Sequence, residues 1–323
     1  MLLINQTDIK KLMSMAEAIA ASKEALRLYS ENKAVVPLRL NINVPKHQGQ
    51  SLFMPAYVEE LNILGIKIVS VFPQNSSLGK ETVPAQMILI NGTTGEVCAL
   101  IDGTVLTQLR TGALQGAATD LLARQDAKTA VLFGTGGQAR SQIEALLTVR
   151  DLEEVQVFGL NSLKTQQFVA KMQEEFSQFN TQIVAGVNAN EAITNADIIT
   201  TITNAKNPVF DGRLVKKGAH VNGLGSYSPD MQELPETILQ KADKIIFDTE
   251  AGVLAEAGDI LIPMKSGIIN HSDLDGELGE VLSGLIKGRE TEEDITVFKS
   301  VGSAVFDLVT AFRIYQKVSS VEK

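Results

Sequence analysis

The sequence contains no tryptophan and a single cysteine, and aromatic residues make up only 5% of its 323 residues. We therefore expect a core of aliphatic side chains. The lone Cys98 excludes an internal disulfide and, between Val97 and Ala99, is expected to be a small core residue. No apolar run reaches the roughly 18 residues of a membrane-spanning helix, and the first residues are too polar after Ile4 for a signal peptide. These features indicate a cytoplasmic protein.

Positive charge is also scarce. Lysine and arginine number 29 against 38 acidic residues, which gives a net charge of −9. This balance disfavours nucleic acids and anionic membranes as main partners. A chain of this length is expected to form about two domains with a substantial core.

One glycine-rich stretch organises the middle of the chain. An apolar run at 130–133 reads as a buried strand, Gly134-x-Gly136-x-x-Ala139 follows, and 141–149 reads as an amphipathic helix. Gly134 permits the tight turn, Gly136 lets the backbone approach a pyrophosphate, and Ala139 allows close helix–strand packing. The helix N-terminus then offers free N–H groups to the phosphates. A glycine turn in another α/β protein is the alternative, but the strand–turn–helix context favours dinucleotide binding.

The predicted order of strands and helices changes around this motif. From 130 to about 248, short apolar strands alternate with helices, which predicts a parallel doubly wound sheet. Before it, a strand at 2–4 leads into one helical stretch reaching Tyr29. Strands with period-two alternation follow, including a hairpin around 91–95. The predicted fold class is α/β, a Rossmann-type sheet plus a second, α+β domain.

The residues at the end of the second dinucleotide-domain strand help to distinguish NAD from NADP as the cofactor. NAD-specific folds usually place an acid there to bind the ribose hydroxyls. Here the strand runs into Asn161 and Ser162, followed by Lys164, and no acid is present. These side chains can accommodate a 2′-phosphate, so the sequence favours NADP over NAD.

Three cations and two other polar residues stand out from their surroundings. Arg39 and Lys67 lie inside strand patterns, where a solvent-facing position explains them equally well, and Arg110 follows the hairpin. His220 ends an apolar strand and reads as structural. Asp307, in a final helix predicted at 302–316, faces either an interface or a pocket.

Several motifs together resemble the ornithine cyclodeaminase/mu-crystallin family, which also includes alanine dehydrogenases and cyclic ketimine reductases. The most specific is Arg110-Thr111-Gly112-Ala113, placed just before the dinucleotide strand. The others are Pro37-x-Arg39, Gly65-Ile66-Lys67, Pro73-x-Asn75, and residues 106–109, 134–139, 225–234 and 296–302.

The resemblance implies a homodimer with two domains per chain. Residues 1–118 with 303–323 would form the substrate-binding and dimerisation domain, and 119–302 the dinucleotide-binding domain. By the same resemblance, Arg39, Lys67 and Arg110 surround a substrate carboxylate beside the nicotinamide. Guanidinium groups suit this role because they grip carboxylates by two parallel bonds. Clustered cations are expected to lower the pKa of Lys67, which would exchange protons with a substrate imine or amine as the catalytic residue.

The remaining predicted contacts complete this site, and no metal ligand is predicted. Further substrate contacts are assigned to Tyr227, Val301 and Gly302. Cofactor contacts are assigned to Thr82, Arg110, Gly134, Gly136, Gly137, Gln138, Asn161, Ser162, Thr201, Thr203, Leu224 and Ser300.

One departure from the family bears on the reaction. Cyclodeaminases carry an aspartate in the loop after the fifth dinucleotide-domain strand, and alignment of residues 225–229 puts Tyr227 there. A tyrosine offers no carboxylate to a side-chain ammonium, which favours simple hydride transfer.

The predicted function is hydride transfer between NAD(P)H and the α carbon of a small imino or amino acid, as in ketimine reductases or alanine dehydrogenases. Two alternatives remain open at this point. One is ornithine cyclodeaminase, a lyase that forms proline and ammonia. The other is a non-catalytic, mu-crystallin-like protein that binds NADPH and a small ligand.

Overall fold

The computed structural model describes residues 1–321. Glu322 and Lys323, the end of the predicted 303–323 segment, lie outside the described residues. The strands are β1 Leu2–Ile4, β2 Ala34–Val35, β3 Leu40–Val44, β4 Gly49–Val58, β5 Ile63–Val71, β6 Ala85–Asn91, β7 Val97–Asp102, β8 Thr129–Phe133, β9 Glu154–Phe158, β10 Gln182–Ala185, β11 Ile198–Thr201, β12 His220–Gly223, β13 Lys244–Phe247, β14 Gly276–Glu277 and β15 Thr296–Lys299.

The chain also forms eleven α-helices among the described residues, and those of its second half alternate with strands. They are α1 Gln6–Leu12, α2 Met15–Ser30, α3 Gly103–Leu122, α4 Ala139–Val149, α5 Ser162–Glu175, α6 Ala189–Asn195, α7 Glu236–Lys241, α8 Glu250–Glu256, α9 Gly258–Lys265, α10 Leu278–Leu282 and α11 Ala304–Val321. Among the described residues, no helix is both long and apolar enough to cross a bilayer.

The chain divides into two compact units. Unit 1 comprises Met1–Arg110 and Ser303–Lys323, and unit 2 comprises Thr111–Gly302. The first boundary falls inside α3, earlier in that helix than the predicted residue 118. The contacts explain this position, because Arg110 pairs with Asp307 of unit 1 whereas Thr119 accepts a hydrogen bond from Asn222 of unit 2.

Unit 1 is a mixed sheet with helices on one face. Its strand order is β1-β7-β6-β5-β4-β2, with β3 also paired to β4. The pairs from β4 to β7 are antiparallel, as predicted, whereas β1 joins β7 in parallel. Helix α11 packs across β4, β5 and β6 and against α2. Burial alternates along these strands, so one face of the sheet forms the core of this unit with α11.

The N-terminal helical stretch is broken, contrary to the single helix predicted to Tyr29. It comprises α1 and α2, and the break falls at Met13 and Ser14. The Ser14 side chain accepts from the backbone of Glu17, and the Glu17 carboxylate accepts from the backbone of Ser14. This reciprocal capping box satisfies free N–H groups and starts a new helix.

Unit 2 is the predicted doubly wound parallel sheet. Its order is β10-β9-β8-β11-β12-β15-β13-β14, and every pair is parallel. Apolar side chains fill two clusters around this sheet. The strand β15, between β12 and β13, was missed because its four residues end in a lysine and follow an acidic loop.

Candidate active site

Lys67 lies in the middle of β5, in register with Met54 of β4 and Met87 of β6. All three side chains are on the buried face of the unit 1 sheet, and Lys67 is only 1% exposed. The alternative of a solvent-facing lysine is therefore wrong for this position. An ammonium at such a depth needs a partner, because leaving it unpaired would cost several kcal/mol.

That partner is Asp307 on α11, which is completely buried. Its two carboxylate oxygens are shared between two cations. The Lys67 Nζ donates to Oδ2 at 2.7 Å, and the Arg110 Nε donates to Oδ1 at 2.9 Å. Asp307, which the sequence left between an interface and a pocket, thus joins a strand residue and a residue of α3 into one charged cluster.

The two arginines of the predicted carboxylate clamp differ in burial. Arg110 is 6% exposed, and its bond to Asp307 uses Nε, so the two terminal nitrogens remain available as donors. Arg39 precedes β3 and is half-buried. Its charge acts on the Lys67 ammonium and lowers the pKa of that group. The structure therefore places all three predicted cations in unit 1, and two of them, Lys67 and Arg110, bind a carboxylate that the sequence did not assign to the site.

The pKa of Lys67 is lowered to about 7. The largest cause is burial, which penalises the charged ammonium. Asp307 raises this pKa, and the charges of Arg110 and Arg39 lower it further. The pKa of Lys67 is lowered, as predicted. Burial, however, lowers it more than the neighbouring cations, which the sequence analysis gives as the cause. A lysine that titrates near neutrality can donate or accept a proton during turnover.

In unit 2 the glycine turn has the geometry that a pyrophosphate needs. Gly134 has φ +121°, and a Cβ there would lie 2.5 Å from the Ile202 carbonyl oxygen. A Cβ on Gly136 would meet no described atom within 4 Å, so the space before α4 is open. The start of α4 has no side-chain cap among the described residues. The Gln138 amide oxygen beside it is buried and lacks a described hydrogen-bond partner. An open turn before a helix start without a side-chain cap, and an amide oxygen that can accept from a ribose hydroxyl, fit a dinucleotide.

The tip of β9 is open to solvent. Asn161 caps α5, with its side-chain oxygen accepting from the backbone of Lys164 at 3.0 Å. Asn161, Ser162 and Lys164 are all exposed, as is Leu160 beside them. No carboxylate occurs between Phe158 and Lys164, so the charge at this tip is positive.

The loop that carries Tyr227 is held by a buried ionic cluster. The Glu233 carboxylate accepts from the backbone of Gly225 at 2.6 Å and of Ser226 at 2.8 Å. Lys299 donates to the Ser226 carbonyl at 2.7 Å and pairs with Asp259 at 2.8 Å. Burial raises the pKa of Glu233. Tyr227 itself is half-buried on this fixed backbone.

Other predicted site residues line the carboxyl ends of the unit 2 strands. Gly302, with φ +75°, and Ser300 both donate to the buried Asp248 carboxylate, at 2.8 and 2.7 Å. Thr201 is the last residue of β11, and Thr203, Leu224 and Val301 follow strands of this sheet. Thr82, by contrast, lies in unit 1 on the loop before β6, where its carbonyl accepts from the Phe72 backbone.

Sequence reasoning missed the buried acids and the lysine that support these loops. Glu233, Asp248, Asp259 and Lys299 all lie at 0% exposure. Two of them fall inside the motifs at 225–234 and 296–302, and a charge within an apolar run was the available signal.

His220 has a structural environment. It is fully buried, with Nδ1 2.9 Å from the Thr296 hydroxyl and Nε2 3.0 Å from the Asn222 amide oxygen. Burial, with the nearby Arg289 charge, lowers its pKa to about 3. The ring is therefore neutral at physiological pH and acts as a link in a buried hydrogen-bond network.

Comparison with known proteins identifies the family of this chain. The sequence matches the model of the Ornithine cyclodeaminase/mu-crystallin family over residues 1–322. The chain belongs to this family. Among its relatives is a Delta(1)-pyrroline-2-carboxylate reductase from Bacillus cereus, 42% identical over 317 residues that cover 98% of this chain and 96% of the relative.

Two solved structures of the family are similar over the whole chain. One is the Thermococcus litoralis Delta(1)-pyrroline-2-carboxylate reductase in complex with NADH and L-proline, with 39% identity, a TM-score of 0.94, and coverage of 100% of this chain and 98% of that one. The other is an archaeal alanine dehydrogenase dimer with bound NAD, with 35% identity, a TM-score of 0.91, and coverage of 100% and 97%. This member of the family is an NAD(P)-dependent oxidoreductase.

Proposed function

We propose that this protein reduces a five-membered cyclic ketimine carboxylate, Delta(1)-pyrroline-2-carboxylate, to proline. The observation that carries the proposal is the cluster of Lys67, Arg110 and Asp307, in which a carboxylate-binding cation lies beside an amine that titrates near pH 7. A relative 42% identical and a solved structure 39% identical bear the name of this reductase.

Each cation has a role in that reaction. The free terminal nitrogens of Arg110, with Arg39, bind the substrate carboxylate through paired charge-assisted bonds. The charged Lys67 donates a proton from Nζ to the imine nitrogen, which makes the adjacent carbon a better hydride acceptor. Lys67 becomes neutral, the C=N double bond becomes a C–N single bond, and the product is the amine.

The cofactor residues proposed in unit 2 are those of the open turn and the strand ends. Gly134, Gly136, Gly137 and Gln138 hold the pyrophosphate at the start of α4. When bound, the reduced nicotinamide supplies the hydride. We further propose that NADPH is preferred to NADH, because the β9 tip presents Lys164 and no carboxylate.

We also propose that unit 1 binds a second copy of this chain through the uncovered face of its sheet. The side chains opposite Lys67 form a half-buried apolar row, with Pro55, Ile66, Ile88 and Leu100 in register on neighbouring strands. Cys98 is half-buried beside the register shift of the β6–β7 pair, so it is not the fully buried core residue that the sequence predicted. A row of this kind is typical of a homodimer interface, and the archaeal relative is a dimer.

The decisive experiment follows the absorbance of the nicotinamide with a panel of substrates and both cofactors. We expect turnover with Delta(1)-pyrroline-2-carboxylate, little with pyruvate plus ammonia, and a higher kcat/KM with NADPH than with NADH. Ammonia and proline formed from ornithine, without net cofactor change, would contradict the reductase. Higher kcat/KM with NADH would contradict the cofactor preference alone.

The pH dependence provides a second test. Because Lys67 must be protonated to donate, kcat/KM for reduction should fall as the pH rises through about 7. Oxidation of proline needs the neutral amine, so its rate should rise over the same interval. Substrate binding and hydride transfer should each be measured between pH 6 and 9. If the rate of reduction does not change over this range, Lys67 is excluded as the proton donor.

A further inference from the structure

We infer that Asp307 is a positioning residue of the reaction: its single carboxylate holds the proton donor Lys67 and the carboxylate-binding Arg110 in one fixed arrangement and sets a negative charge against the Lys67 amine. This inference rests on the proposed function and assigns a role to a residue of α11, more than 190 positions from both partners in the chain.

The geometry shows why one carboxylate serves both cations. The two oxygens bind different partners, at 2.7 Å to Lys67 Nζ and 2.9 Å to Arg110 Nε. Asp307 has no exposed surface, so neither oxygen is satisfied by bulk solvent. The bond to Nε uses one of the five N–H donors of the guanidinium and holds its orientation, and the donors of the terminal nitrogens suit the carboxylate of the proposed substrate.

The charges around Lys67 explain why Asp307 also governs its protonation. The ionisable groups that act on Lys67 come from three elements: Asp307 from α11, Arg110 from α3 and Arg39 from the segment before β3. Of these only Asp307 favours the ammonium, since both arginines and burial oppose it. Without the carboxylate, the pKa of Lys67 would be lower, so a smaller fraction of the side chain would hold the proton that it donates.

A purely structural role for Asp307 makes a different prediction. A carboxylate that only stabilised the fold could be removed with a loss of stability, and the remaining active enzyme would keep its pH profile. A positioning carboxylate changes the titration of Lys67 itself. The midpoint of that titration therefore separates the two roles.

The test is Asp307→Asn, which keeps the size of the side chain and removes its charge. We expect the pH midpoints of reduction and of proline oxidation to move together to lower pH by about 1–3 units, the effect of losing an opposite charge at this distance. At pH 7 reduction should fall by roughly 5- to 500-fold, because the protonated fraction of Lys67 falls, whereas this titration does not slow the reverse reaction, which uses the neutral amine. The KM for the imino acid should rise as Arg110 loses its orientation.

A second readout does not depend on activity. In protein labelled with ¹³C-lysine, the Lys67 side-chain signal, assigned with Lys67→Arg, should titrate near pH 7 in the native protein and at lower pH in Asp307→Asn. If the native enzyme reduces no imino acid, the proposed function fails, but this titration still decides whether Asp307 controls Lys67.

Two further variants complete the design. Asp307→Glu restores the charge and should return the midpoint toward 7, with KM still raised because the longer side chain alters the bridge. Glu24→Gln is the matched control, since Glu24 pairs with Arg313 of the same helix α11 and should leave the profile unchanged. A folded Asp307→Asn with an unshifted midpoint in both readouts would overturn the inference. If Asp307→Asn does not fold, an Asp307→Glu enzyme with native midpoint and native KM would overturn it.

Discussion

At the scale of single residues, the proposed reaction depends on charged groups that are buried and only partly neutralised by one another. Two cations, Lys67 and Arg110, bind one carboxylate, Asp307, and the charge of a third, Arg39, acts on Lys67. The excess of positive charge is what a substrate carboxylate requires. It is also costly, because each buried ion loses hydration. Such a cluster is favoured for function rather than for stability.

Replacing Arg110 with leucine tests the carboxylate-binding cation. We expect kcat/KM for the imino acid to fall by roughly 30- to 1,000-fold, mostly through KM, because losing a buried charge-assisted pair costs on the order of 2–4 kcal/mol. Steady-state kinetics, with circular dichroism to confirm folding, measure this. Arg27→Leu is the control, since the described partners of Arg27, in the same unit, are Glu31 and Glu60 at a more exposed site. Unchanged kinetics for Arg110→Leu would place the substrate elsewhere.

Tyr227 tests the choice between reductase and cyclodeaminase. Cyclising ornithine needs its side-chain ammonium, with a pKa near 10.4, to lose a proton, and a phenol with a pKa of about 10 cannot replace a carboxylate in that step. The missing ion pair costs on the order of 1.5–3 kcal/mol. We therefore expect little ammonia from ornithine in the native enzyme and more in Tyr227→Asp, measured by ammonia release. The bonds of Glu233 to Gly225 and Ser226 hold the loop independently of the Tyr227 side chain. Efficient ornithine conversion by the native enzyme would contradict this account.

At the scale of elements, period-two alternation in unit 1 separates two functions. On β5, Lys67 belongs to the covered face and its neighbours Ile66 and Ile68 to the uncovered one. The same strand therefore contributes to the charged cluster through one residue and to the proposed dimer surface through the next. A shift of one residue in register would exchange the two, so pairing along β4, β5 and β6 is strongly specified.

Ile66→Asp tests the proposed dimer surface. A carboxylate in the middle of an apolar interface would be desolvated without a partner, so we expect a monomer at micromolar concentration in sedimentation velocity. Leu285→Asp is the matched control, because Leu285 is an exposed leucine of unit 2 and belongs neither to the proposed dimer surface nor to the proposed cofactor site. A native chain that sediments as a monomer, or an Ile66→Asp variant that remains dimeric, would contradict the assignment.

At the scale of the whole molecule, buried ionisable groups connect stability to pH. His220 is neutral and completely enclosed, with its pKa lowered to about 3 from an ordinary value of 6.5. Between these two values the unfolded chain binds the proton and the folded protein does not. The stability that His220 contributes is therefore fully present above pH 6.5 and is lost as the pH falls toward 3.

His220→Gln tests this linkage. The native protein should lose stability relative to the variant as the pH falls below 6.5, with a slope of up to about 1.4 kcal/mol per pH unit. Urea unfolding of both proteins at pH 7, 6 and 5 measures the difference. At pH 7 the variant should be the less stable of the two, because it disturbs the bonds to Thr296 and Asn222. Parallel stability curves across this range would show that His220 does not remain neutral in the folded protein.

The parallel sheet of unit 2 and its nucleotide turn were determined locally by the sequence. Strand, glycine turn and helix are adjacent in the chain at 129–149, so spacing alone predicted their arrangement. The hairpin at 91–95 was predictable for the same reason. The helix break at Ser14 had a local signal as well, in the spacing of Ser14 and Glu17, and the prediction passed over it.

Only the tertiary structure decided which charges meet. Lys67, Arg110 and Asp307 come from β5, α3 and α11, and no spacing rule relates them. Period-two alternation left Lys67 free to face either side of its sheet until α11 was seen to cover one of them. The pairing of Lys299 with Asp259 was likewise decided by the tertiary structure. These two residues are 40 positions apart in the chain, and both are completely buried. Ionic interactions in a core depend on burial and on distances between remote segments, and a sequence contains these only through the fold that it adopts.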